Sequence, residues 1–192
     1  MRKGDTLIIK VPNTKVWDEK REKFLNVKGQ ELRLAHSLLS ISKWESIHKI
    51  PFLADGKRVK KFEKTREMMV DYVRCMTVNE VEDDNVYYVM TEENWKEVQE
   101  YINDPMTATV LKEDPNSPNV NVSGTFPTAE IIYYQMFELN IPESWEKKHL
   151  NRLLTLIRVI AKKKEQANNP KKIPKSKIGQ KYRALHAARR KH

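Results

Sequence analysis

The chain has 192 residues, with 36 Lys and Arg against 26 Asp and Glu for a formal net charge of +10, and it is 39% hydrophobic and 32% charged. Those proportions suit one domain of ordinary size carrying a modest core under a heavily charged surface, alone or with an appendage. Five glycines, one cysteine and the lack of a long apolar run exclude collagen-like, disulfide-rich and membrane-spanning classes.

Residues 6–11, TLIIKV, are β-branched and apolar and end at Pro12, which suits an edge strand. Val16-Trp17, the charged turn DEKRE and FLNV at 24–27 follow, and then Lys28-Gly29 and the alternating ELRLAH at 31–36. Gly29 is the residue able to take the positive φ of a tight hairpin turn. The reading is a small antiparallel sheet of about three strands over 6–36, needing a helix on its apolar face.

From Ser37 the apolar period changes from two to about 3.6. Leu34, Leu38, Ile41, Trp44 and His48 form one stripe, ending near Pro51. Thr65 is an N-cap for a helix over 65–77, with Met68, Met69, Tyr72, Val73 and Met76 on its apolar face. Asp83-Asp84 starts a short helical turn, and Thr91 with Glu92-Glu93 opens a helix lined by Trp95, Val98 and Ile102. A proline-rich loop spans 105–127. Thr128 then caps AEIIYYQMFELN, a helix apolar enough to imply burial on most sides. After Asn140-Ile141-Pro142 a long helix is expected from Glu143 through Lys164, with the stripe Trp145, His149, Leu150, Leu153, Leu154, Ile157 and Ile160. The fold class is therefore α+β: a small N-terminal antiparallel sheet, a mostly helical body and a basic C-terminal tail. Residues 1–160 make one domain, strand-rich over 1–36 and helical over 37–160, and residues 161–192 make a tail with a weak terminal helix.

That tail holds twelve Lys and Arg against one Glu, a net +11, which leaves the first 160 residues at −1. Lys162, Lys163, Lys164, Lys171, Lys172, Arg183, Arg189 and Arg190 form an electrostatic arm able to steer an acidic partner or to meet phosphates without sequence preference. A solvated tail that keeps the protein dispersed is an equally weighted reading, and Tyr182 is the arm's one aromatic, too few for a single-strand stacking platform.

No two of the five histidines lie three or four apart and none is near Cys75, so no metal spacing exists. The nucleophile-elbow, phosphate-loop, dinucleotide and zinc-protease motifs are all missing. Asp83-Asp84 and Glu92-Glu93 read as helix-start carboxylates before acid–base pairs, and Cys75 as a core thiol before a nucleophile. No enzyme, cofactor or metal is expected. Trp145 and His149 share a face with Leu153. The commoner arrangement of such residues closes the core, and the sharper one is a partner-helix groove built from Trp44, Trp145, His149, Leu153 and Ile157. Met68, Met69, Met76 and Met136 add adaptable apolar surface.

The strings LAHSLLSISKWESIHKIPFL (34–53), EYINDPMTA (100–108) and AEIIYYQMFELNIPESWEKKHLNRLLTLIRV (129–159) resemble a group of small proteins of tailed bacteriophages and prophages, and the likeness covers most of the chain. The group is associated with tail assembly chaperones. The resemblance implies a non-enzymatic protein that coats the long tape measure protein and keeps it soluble in the host cell cytoplasm while tail tube subunits polymerise around it. It implies the tape measure protein as partner, with the tail tube protein and a second copy as further ones, and no membrane. A single cysteine agrees with a reducing cytoplasm, and Leu7-Ile8-Ile9 is too short for a signal peptide. The alternative is a phage structural protein whose basic arm contacts nucleic acid or other virion components.

Overall fold

The computed structural model describes residues 2–19, 22–54, 63–109 and 127–168. The chain divides into two compact units, Met1–Arg158 and Val159–His192. The architecture is α+β. Strands β1 (Arg2–Lys3), β2 (Thr6–Val11), β3 (Thr14–Asp18), β4 (Lys23–Val27) and β5 (Gln30–Leu34) precede helices α1 (Leu38–His48), α2 (Arg66–Met76), α3 (Glu92–Asn103), α4 (Ala129–Glu138) and α5 (Leu150–Asn168). Two 3₁₀ turns, Asp84–Tyr88 and Glu143–Lys147, stand before α3 and α5.

The strands form one long, kinked hairpin. β2 pairs antiparallel with β5, Leu7 facing Leu34 and Val11 facing Gln30, and β3 pairs with β4, Thr14 facing Val27 and Asp18 facing Lys23. Both ladders keep one register, so the hairpin continues past a kink at 12–13 and 28–29. The base is a three-stranded sheet in the order β1-β2-β5, its third strand contributed by Arg2–Lys3. Gly29 does not take a positive φ. It sits instead where a Cβ would lie 2.5 Å from the Asn13 nitrogen and the Val11 oxygen, and its N–H donates to Asn13 Oδ1 at 2.7 Å. Close backbone approach at the kink is what requires glycine there.

Period-two alternation puts Leu7, Ile9, Val11, Leu32 and Leu34 on one buried face. α3 packs against β2, burying Val98 and Tyr101, and Asn94 Nδ2 donates to the Lys10 carbonyl at 3.3 Å. The outer edge of β5 is covered by the chain after α2: Val78 N–H donates to the Arg33 carbonyl at 2.9 Å, and Asn79 Oδ1 accepts from Arg33 N–H at 2.7 Å. An edge strand is thereby closed without a further strand.

The helix starts follow their caps. Ser37, Thr65 and Thr91 each accept a bond from the N–H three residues on, at 3.3, 3.2 and 3.2 Å. α4 differs: Thr128 makes no side-chain cap, and the Ala129 N–H donates instead to the buried Glu45 carboxylate of α1 at 2.8 Å. Its C-terminus turns through Asn140 at φ 54°, with Ile141 N–H donating to the Met136 carbonyl at 2.8 Å, a Schellman closure over two buried apolar side chains.

Two expectations are corrected. The helix expected from Glu143 is a 3₁₀ turn that stops at Lys148, whose backbone is extended, and α5 starts at Leu150. Leu150 N–H donates to the His36 carbonyl at 2.8 Å, and Ser37 bridges to His149, so strand-like pairing at this point overrides helical continuity. α4 is not buried on most sides, since Tyr134 is 60% and Phe137 83% exposed while Ile132 and Met136 face the core. Of the proline-rich loop, 110–126 lie outside the described residues, as does the expected weak terminal helix.

Candidate functional site

Four of the five expected groove residues are interior. Trp44, Leu153, His149 and Ile157 are at most 2% exposed. Trp44 lies between His48 and Phe52, with ring centroids 4.5 and 5.1 Å away, and its Nε1–H donates to the Met68 carbonyl at 2.7 Å, tying α1 to the start of α2. Trp145 is half-buried in the 3₁₀ turn, on a different element from Leu153. These side chains do not line an open groove: Leu150, Leu153 and Ile157 of α5 are buried with the core, and that burial contributes to the stability of the fold. Of the expected arm, Lys162, Lys163 and Lys164 are exposed on α5, whereas Lys171, Lys172, Arg183, Arg189 and Arg190 lie outside the described residues.

Around His149 the interior is polar. Its Nε2 is 3.0 Å from the Tyr101 carbonyl, and its ring stacks edge-on against His36 and Tyr101, both 4.9 Å away. His36 Nδ1 bonds to the Tyr72 hydroxyl, and the His36 N–H donates to the Tyr101 hydroxyl at 3.0 Å. Tyr101 in turn donates to the Asp5 carbonyl, and the Asp5 carboxylate meets Lys148 at 3.3 Å and Arg152 at 3.4 Å. Burial, reinforced by the neighbouring His149, pushes the His36 imidazole down to about 3. A neutral His36 within this network links the end of the sheet to Tyr72 of α2, Tyr101 of α3 and His149 just before α5.

One carboxylate of each expected pair has local partners. Asp83 Oδ1 accepts from the Asn85 N–H at 2.9 Å, and Glu93 is held low by bonds to its own backbone and to Thr91 at the α3 N-terminus. Cys75 is half-buried, and burial raises its thiol. Among the described residues no three His, Cys, Asp or Glu side chains gather as a metal site would need.

Besides Tyr134 and Phe137 on α4, open apolar surface occurs in two places of a different kind. The first is a cleft of about 490 Å³ between α2 and α3, lined by Met69, Trp95, Val98 and Ile102, with Arg66 and Glu92 at its polar parts. Trp95 also lines a second cleft, with Val70, Tyr87 and Tyr88. α3 has two parallel stripes: Asn94, Val98 and Tyr101 turn inward, while Trp95, Gln99 and Ile102, one residue further round, remain partly exposed. The second is the far end of the hairpin. Trp17 and Phe24 face each other across β3 and β4, edge to face at 5.0 Å, and are 49% and 64% exposed, with Val16 at 38% on the opposite face. The sequence groups Trp95, Val98 and Ile102 as one apolar lining of this helix; the structure buries Val98 and leaves Trp95 and Ile102 partly exposed.

No protein-family model, curated protein or solved structure matches the chain. No helix among the described residues is long and apolar enough to cross a membrane.

Proposed function

We propose that the chain is a non-catalytic, protein-binding assembly chaperone, and that its client is the tape measure protein of a tailed phage. The observation that carries the reading is the α2–α3 cleft. Met69 offers a flexible, polarisable side chain and Trp95 a rigid aromatic one, and Ile102 extends the apolar strip to two helical turns beyond Trp95. A client helix presenting apolar residues at i, i+3 or i+4 and i+7 fits such a strip. A long helical client repeats that pattern many times, so weak contacts with many copies cover it by avidity and still release when the tube replaces them. The exposed Trp17–Phe24 arm supplies further apolar surface of the kind that soluble monomers seldom leave open.

The test is co-expression of the full chain with the tape measure protein, reading the client's soluble fraction and its retention on the tagged chain after nuclease treatment. Met69→Glu and Trp95→Ala are expected to lose the client while keeping the wild-type melting profile, since both side chains are only partly buried. Retention unchanged in both variants would overturn the groove. A second reading follows from the consecutive exposed lysines Lys162, Lys163 and Lys164: a structural phage protein whose arm contacts nucleic acid. Recovery of nucleic acid that disappears steeply with added salt, with no client bound, would favour it.

A further inference from the structure

The outer face of α4 departs from the charge of the rest of the chain. Residues 127–146 contain Glu130, Glu138, Glu143 and Glu146 and no Lys, Arg or His, in a protein whose net charge is +10. Glu130, Tyr134, Phe137 and Glu138 recur at helical spacing and are all exposed. Phe137, at 83%, is the most exposed large hydrophobic residue among those described. Behind this face Tyr133 donates to the Glu146 carboxylate at 2.9 Å, and burial with the nearby Glu146 and Glu143 raises the phenol far above its ordinary value. Asn140 and Ile141 fix the helix end, and Glu45 fixes its start, so the face is held rigid.

Resting on the client-binding reading above, we propose that this face, Tyr134 and Phe137 among Glu130, Glu138 and Glu143, docks a lysine- and arginine-rich amphipathic segment of the client protein. The chemistry is complementary at each point. Two exposed rings accept aliphatic side chains and the flat guanidinium of arginine, and Glu130 and Glu138 lie about one turn to either side of Tyr134 on the same helix, with Glu143 in the 3₁₀ turn that follows, to meet cations of the same segment. An acidic or purely apolar segment is disfavoured, the first by like charge and the second because it leaves the carboxylates facing apolar surface.

The experiment uses the full chain and a synthetic helical peptide with leucines at i, i+3, i+4 and i+7 and lysines and arginines on the remaining positions, against the same peptide with its cations replaced by glutamates. Fluorescence anisotropy is expected to show binding of the basic peptide alone, weakened about tenfold by Phe137→Ala and lost in the Glu130→Lys/Glu138→Lys double variant, with affinity falling between about 0.1 M and about 0.5 M salt. Client retention on co-expression reads the α2–α3 cleft through Met69→Glu, whereas the salt-dependent anisotropy of the basic peptide reads the α4 face through Phe137→Ala and Glu130→Lys/Glu138→Lys, so a failed groove and a failed α4 face give different patterns. Equal binding of the acidic peptide, or indifference to the α4 substitutions, overturns the proposal. So does a wild-type chain that ignores the peptide but is an oligomer by mass photometry and becomes monomeric in Glu130→Lys/Glu138→Lys, since the occupant is then a second copy.

Discussion

Glu45 shows how much a single buried carboxylate organises. Its Oε1 accepts from the Phe52 N–H at 2.7 Å and its Oε2 from the Ala129 N–H at 2.8 Å, so one α1 side chain holds the loop after α1 and caps α4. Both donors are buried, and Ala at this position leaves them without an acceptor. Glu45→Ala should cost about 3 kcal/mol in urea denaturation, with Glu45→Gln in between because an amide oxygen can serve only one of the two. His36 gives the acid limit of the fold. Its folded value near 3 lies below the ordinary 6.5, and the groups that face it are His149, Tyr72 and Tyr101. The unfolded chain takes up a proton as pH falls through about 6.5 while the folded one does not, so the stabilisation present above that pH is lost between there and about 3. The slope is at most about 1.4 kcal/mol per pH unit from this group. Burial raises the carboxyl of Glu45, which acts in the opposite sense as pH falls. Urea midpoints should therefore drop from about pH 7 to about pH 4.5 in the wild type and drop less in His36→Gln. Identical slopes in the two proteins would count against His36 as the source.

The hairpin and the helices were unequally legible in the sequence. Ser37, Thr65 and Thr91 announce three helix starts because capping is local chemistry, and Asn140-Ile141-Pro142 announces a helix end for the same reason. The alternation in TLIIKV and ELRL gives the buried face of the sheet. What the chain does not display is pairing over distance. That Lys148 interrupts the helix expected from Glu143 depends on Ser37 and His36, over a hundred residues earlier, and that Trp44, His149, Leu153 and Ile157 are interior depends on what packs against them. Periodicity marks an apolar face without saying whether it is covered, and Trp44, His149, Leu153 and Ile157 prove to be covered, whereas Met69, Trp95 and Ile102 are not fully so. Leu153→Asp, buried at the centre of the α5 stripe, should abolish the cooperative thermal transition and so be silent about binding. Gly29→Ala tests the kink: the added methyl meets the Val11–Asn13 backbone and should cost about 2 kcal/mol by overpacking, and a melting temperature equal to wild type would mean that the two arms can separate there without loss.

For the whole molecule, charge and apolar surface are separated, and that separation has a kinetic consequence. The first 160 residues carry −1 and the last 32 carry +11, while the α2–α3 cleft with Met69 and Trp95 lies in the first unit. Long-range charge raises the rate of encounter, whereas desolvated apolar contact sets how long a complex lasts. If the chain works as a chaperone with a steering arm, the two halves of its affinity are separable in one experiment. Lys162→Glu/Lys163→Glu/Lys164→Glu removes three exposed cations from α5 and should lower the association rate for the tape measure protein several-fold at low salt, leaving the dissociation rate as it was. Met69→Glu should do the reverse, accelerating dissociation by about tenfold or more with little change in association. Surface-captured full-length chain with client flowed over it at two salt concentrations reads both rates. A dissociation rate that follows the lysine substitutions and ignores Met69 would place the binding energy in the arm, as expected for contact with phosphates, and would displace the groove as the functional element.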